Sequence, residues 1–240
     1  MNENTSTGET NRRSFLSRAG LATATFAAAS IALPQVASAV SPALTFADIP
    51  GSGDIKVLNY ALALEALETD LYIQALMRLT NGGTNALGRK IVGLNLNQNQ
   101  PDVFYVRQFA KVEKQHRDFV DAALGSESLL RKAPFNTARF DFKMETLTRR
   151  QVVDLVLLAE KTGVGAYLGA IPSFQTRNFL QLAGAIQGTE ARHTTVITIV
   201  SNILFQGSQP VAPLANQNNG IDAAIAPNTV LAAVSPFIVL

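Results

Sequence analysis

Apolar residues recur at alternating three- and four-residue steps in four stretches of the chain, the period of a helix that buries one face. The first stretch predicts a helix from about Asp54 to Thr80, with Asp54 as N-cap and Gly82-Gly83 as the stop. The second starts at Pro101, a favoured first-turn residue, and ends before Gly125. The third opens at Thr148 and ends before Pro172, because proline disfavours helix in the residue preceding it. The fourth spans roughly Thr176 to Phe205 and is closed by Gly207. Between them lie Asn81 to Gln100, with room for a short helix, a long crossover from Gly125 to Leu147, and a tight turn near Pro172. A long second connection and a short third one predict an all-α four-helix bundle over residues 54–206, two antiparallel helix pairs joined by the crossover. Residues 207–240 are rich in Pro, Ala and Asn without clear period and read as an irregular extension. Its apolar end, Val230 to Leu240, is expected to pack on the bundle or on a neighbouring subunit.

The inner stripes of these helices are not purely apolar. The first reads Leu58, Ala61, Glu65, Glu68, Tyr72, Ala75, and the second Val106, Phe109, Glu113, His116, Val120, Ala123. The third reads Val153, Val156, Glu160, Gly163, Tyr167, Ala170, and the fourth Ala183, Ile186, Glu190, His193, Ile197, Val200. Every helix thus places a glutamate near its middle and in its own core stripe. A buried ionised carboxylate is costly unless paired or bound to a metal, and no Lys or Arg occupies these stripes. Two divalent cations would balance four glutamates, with two neutral imidazoles completing the shells. Both histidines of the chain, His116 and His193, follow a glutamate by three residues, a spacing that puts the two side chains on one helix face. The candidate metal ligands are Glu113, His116, Glu160, Glu190 and His193, together with Glu65, Glu68 or both from the first helix.

Composition narrows the metal. Cysteine is absent, which removes disulfides and thiolate ligands and argues against structural zinc. Carboxylates with one imidazole per ion suit iron or manganese. The charged fraction of 16% lies below the usual level of about 25%, as expected for a chain with much buried surface or an extensive interface, such as a homo-oligomer.

Arg12 and Arg13 precede Ser14-Phe15-Leu16 and an uncharged stretch from Ala19 to Leu33, the pattern of a twin-arginine (Tat) signal. Ala37-Ser38-Ala39 supplies a small-x-small cleavage site, so residues 1–39 are expected to be removed, with 40–53 as a linker. The apolar stretch is shorter than the roughly 20 residues a membrane span needs, and no span is expected in the mature chain. Without Arg12, Arg13, Arg18, Glu3 and Glu9, 17 basic residues face 16 acidic ones, which gives no nucleic-acid footprint. The expected destination is the periplasm or the exterior.

Glu65, Glu113-Lys114-Gln115-His116, Glu160 and Glu190-Ala191-Arg192-His193, one group per helix, resemble the di-metal carboxylate pattern of the ferritin-like superfamily. Within it, Leu58-Asn59-Tyr60-Ala61-Leu62, Leu64-Glu65-Ala66-Leu67-Glu68 and Leu71-Tyr72 resemble exported bacterial ferritin-like proteins related to plant desiccation-related proteins. Tyr72 and Tyr167 each follow a ligand glutamate by seven residues, a relation seen in ferritins and rubrerythrins, and read as core residues with satisfied hydroxyls. The rubredoxin-like cysteine module of rubrerythrins is absent. The resemblance implies a di-iron or di-manganese centre and favours Glu65 as the first helix's ligand, with Glu68 as an alternative or additional one. Three functions stay open: a redox enzyme using dioxygen or peroxide, a di-manganese catalase, and a metal-holding or structural stress protein with little turnover.

Overall fold

The computed structural model describes residues 43–213 and 220–240, so the expected signal at 1–39 lies outside the described residues. Four long helices, α1 (Gly53–Leu79), α2 (Pro101–Leu124), α3 (Arg149–Ala170) and α4 (Arg177–Phe205), form a bundle. Local signals set several ends. Pro101 stands at the first turn of α2, and Gly125 closes that helix with φ 53°. Thr148 and Gln151 cap α3 reciprocally: each side chain accepts from the other's backbone N–H. Other ends depart from expectation. Ser52, not Asp54, is the N-cap of α1, while the Asp54 carboxylate accepts from the backbone N–H groups of Gln175 (2.7 Å) and Thr176 (3.1 Å) and fastens the turn into α4. Asn81–Gln100 holds no helix; Gly83–Thr84 (β1) and Lys90–Ile91 (β2) pair antiparallel there. At the end of α4 the left-handed residue is Gln206 (φ 52°) rather than Gly207.

Helix directions follow from contacts at the two ends. Arg149, opening α3, donates from Nε (2.7 Å) and Nη2 (2.8 Å) to the buried carboxylate of Asp102 in the first turn of α2. These helices therefore start at the same end and run parallel, and the crossover from Gly125 to Thr148 travels the bundle's length. Asp54 brings the start of α1 to the start of α4 at the opposite end. The α1–α2 and α3–α4 hairpins are antiparallel pairs, and α1 lies antiparallel to α3. This is the expected bundle with one long crossover.

The C-terminal extension holds more regular structure than its sequence period predicts. Pro227–Val234 forms helix α5, a 3-10 turn covers Ser235–Phe237, and Ile238–Val239 (β4) pairs antiparallel with Arg139–Phe140 (β3) of the crossover. Glycines on α3 let this segment approach. Gly165 accepts from Ile225 N–H (2.9 Å), and a Cβ at Gly169 would collide with the Ile225 carbonyl oxygen. Val230, Leu231 and Val234 are buried, and Asn228 and Ser235 accept from Phe46 N–H and Leu44 N–H. The apolar chain end thus packs on its own bundle. Among the described residues no helix is long and apolar enough to cross a membrane.

Candidate metal centre

Of the four expected stripes, those of α1, α3 and α4 are buried throughout. On α2, Val106, Glu113 and Val120 are buried, Phe109 and His116 are half-buried, and Ala123 is exposed. The packing brings Glu65, Glu113, Glu160 and Glu190, all fully buried, to one level with both histidines.

Two overlapping ligand sets result. Glu65, Glu113, His116 and Glu190 each offer one atom within 4.8 Å of the others, and so do Glu113, Glu160, Glu190 and His193. Glu113 and Glu190 belong to both sets, as bridging ligands must, while each set adds one glutamate and one histidine of its own. His116 Nδ1 lies 3.1 Å from Glu113 Oε2, 3.1 Å from Glu190 Oε1 and 3.5 Å from Glu65 Oε2. His193 Nδ1 lies 2.7 Å from Glu113 Oε1 and 3.5 Å from Glu160 Oε2. Ligands about 2.1 Å from a common ion stand roughly 3 to 4 Å apart, so these separations suit two ions held side by side. Glu68, though buried, stands outside both sets.

Two tyrosines fix the terminal glutamates crosswise. Tyr72 of α1 donates its hydroxyl to Glu160 Oε1 on α3, and Tyr167 of α3 donates to Glu65 Oε1 on α1. The sequence marks both as core residues with satisfied hydroxyls; their exchange across the antiparallel α1–α3 pair is a tertiary fact. Each bond occupies one carboxylate oxygen and leaves Glu160 Oε2 and Glu65 Oε2 facing the centre. Those two oxygens, Glu113 Oε1, both oxygens of Glu190 and His193 Nδ1 have no aligned hydrogen-bond partner among the described residues. Buried polar atoms are rarely left so, and six converging on one level are what two cations would satisfy. The residues present fit a di-metal group.

Burial governs the charges here. It pushes Glu65 up to about 7, with His116 pulling down and Glu190 pushing further up. Burial and then neighbouring carboxylates hold Glu68 and Glu160 well above the usual range, and burial raises Glu190 against the pull of His116. At Glu113 the same burial is outweighed by the imidazoles of His116 and His193, and its carboxyl falls below the usual range. Burial also works against charge on His116, yet Glu113, Glu190 and Glu65 push it up to about 12. The raised carboxylates favour proton uptake in the metal-free chain, and metal ions would compete with those protons.

One contact beyond the expected ligands shapes the site. Phe109 of α2 stacks on His193 of α4, with ring centroids 3.9 Å apart and planes 20° from parallel. Phe109 lies in the α2 stripe four residues before Glu113, so its inward face was legible but its partner was not.

No curated protein and no solved structure matches the chain. Over residues 53–202, which take in the four long helices up to Asn202 and every expected ligand, the sequence matches the family model of the ferritin-like domain, and the chain belongs to that family.

Proposed function

We propose that the chain is an exported di-metal carboxylate protein whose two ions, iron or manganese, carry out redox chemistry with dioxygen or peroxide in iron handling or stress protection. The observation that carries this reading is the pair of overlapping ligand sets sharing Glu113 and Glu190. When bound, the ions supply changes of oxidation state and a Lewis-acidic surface for small oxygen species. The chain's own residues set the conditions. Glu113 and Glu190 can span both positions; Tyr72 and Tyr167 hold Glu160 and Glu65 so that one oxygen of each faces inward. The side chain of His116 is 13% exposed against 5% for His193, so a small molecule reaches the pair most directly along α2.

Ferrous oxidation and peroxide consumption, measured on protein loaded with iron or with manganese to known content, test this. The expected result is oxygen- or peroxide-dependent turnover of the iron form, lost in Glu113→Ala. Peroxide disproportionation confined to the manganese form would make the chain a di-manganese catalase instead. Two bound ions with neither activity would make it a metal-holding stress protein.

Export rests on Arg12, Arg13 and the Ala37-Ser38-Ala39 site. Replacing both arginines by Lys should retain precursor in the cytoplasm, and normal levels of mature protein beyond the inner membrane would contradict the twin-arginine reading.

A further inference from the structure

The α1–α2 and α3–α4 hairpins repeat one set of ligands, and at one place the repeat breaks. Glu65 corresponds to Glu160, Tyr72 to Tyr167, Glu113 to Glu190 and His116 to His193. Three residues after Glu65 stands Glu68; three residues after Glu160 stands Gly163. A Cβ at Gly163 would lie 3.2 Å from Glu68 Oε1 and 3.3 Å from Glu190 Oε2, so the missing side chain is the room that Glu68 occupies. Glu68 is 4% exposed, and its Oε1 faces the same space at Gly163 as the shared Glu190. A fifth buried carboxylate therefore lies beside the level of the four expected ligands.

Its position along α1 says which ion it serves. Glu65, which receives the Tyr167 hydroxyl, belongs to the first ligand set, and Tyr72 reaches Glu160 of the second. A step from Glu65 towards Tyr72 is therefore a step from the first set to the second, and Glu68 lies on that path. Its Oε1 shares the space in front of Gly163, three residues after Glu160, with Glu190 Oε2. The carboxylate stands outside the four-atom group around His193.

We infer that Glu68 is an added ligand of the Glu160/His193 position, so that two otherwise matching metal positions become unequal. The inference rests on the di-metal reading above. The second position then has two terminal carboxylates, Glu160 and Glu68, where the first has Glu65 alone, and the extra negative charge holds a cation more tightly there. Gly163 is part of the same device, since any side chain at that point crowds both Glu68 and the shared Glu190.

Cobalt(II) titration of the chelator-treated full chain, followed by visible absorption and calorimetry, tests this. Wild type should bind two ions in two resolved steps. Glu68→Gln, of the same size, should still bind two, with the tighter step weakened by at least about tenfold so that the steps merge. Gly163→Ala should shift the tighter step the same way by a smaller factor, and it carries the comparison if Glu68→Gln fails to fold. Against a His116→Ala background, which leaves the second position, Glu68→Gln should weaken the remaining ion; against His193→Ala it should not. Two cobalt ions bound by Glu68→Gln as in wild type, or an effect confined to the His193→Ala background, overturns the role of Glu68 and leaves the di-metal reading standing. No cobalt bound by wild type overturns both.

Discussion

The α1–α2 hairpin and the α3–α4 hairpin carry the same chemistry at the same spacing, yet they place it in different surroundings. The two terminal glutamates are treated alike: each is fully buried and each accepts a tyrosine hydroxyl from the opposite hairpin. The histidines are not. His193 is buried under the ring of Phe109, whereas His116 is half-buried on a helix whose outer face carries exposed Phe104 and Phe119. Ile186 stands four residues before Glu190 as Phe109 stands before Glu113, so an aromatic ring has no aromatic counterpart in the repeat. The pairing of candidate ligands is thus symmetric while their exposure and neighbours are not: His193 is covered where His116 is half-buried.

The largest expected effects come from the residues the two ligand sets share. Glu113→Ala or Glu190→Ala should remove both ions together, because each belongs to both ligand sets; elemental analysis showing one ion retained would assign the altered residue to a single position. His116→Ala and His193→Ala should each remove one ion and leave the other. A smaller effect is expected where the hairpins are tied outside the site. Arg149→Ala strands the buried carboxylate of Asp102 and should cost about 3 kcal/mol, read by denaturant unfolding, with metal content unchanged once the protein is folded. Smaller again, Tyr72→Phe and Tyr167→Phe should each cost about 1–3 kcal/mol, since each leaves a buried carboxylate oxygen without its donor. Equal costs would bear out the matching halves, and a large inequality would break the comparison.

The metal-free protein should also respond to pH in a defined direction. Glu65, raised to about 7 by burial, binds a proton in the folded chain more readily than in the unfolded one. Its contribution is full below about pH 4.5 and is lost as pH rises through about 7; Glu68, Glu160 and Glu190 act in the same sense. Glu113, held below the usual range, acts oppositely and only at the acid end. Melting temperature after chelation should therefore rise as pH falls from 7 towards 5, whereas the metal-loaded protein should lose stability as its ligands take up protons.

Local chemistry explains how much of this was legible in the sequence. Pro101, Gly125 and Thr148 mark helix ends through backbone constraints and caps that act within a few residues, and the observed ends fall there. The stripes were legible because burial on a helix has a fixed period, and the six candidate ligands they contain come together in space. Asp54 misled because its carboxylate serves Gln175 and Thr176, more than 120 residues away. Helix α5 has eight residues, too few for a period, and the Ile225 segment leading into it packs against Gly165 and Gly169 on α3. The Arg149 pair with Asp102 and the stacking of Phe109 on His193 are tertiary contacts with no local signal.

The central claim is that the six converging side chains exist to hold two ions. Elemental analysis of the purified chain, joined to thermal melts before and after chelation near neutral pH, tests it most directly. Two iron or manganese ions per chain, with a melting temperature that falls on chelation and returns when the metal is restored, is the predicted result. Identical melts with and without chelator, from a protein containing no stoichiometric metal, would mean that Glu65, Glu113, His116, Glu160, Glu190 and His193 form a self-satisfied polar core.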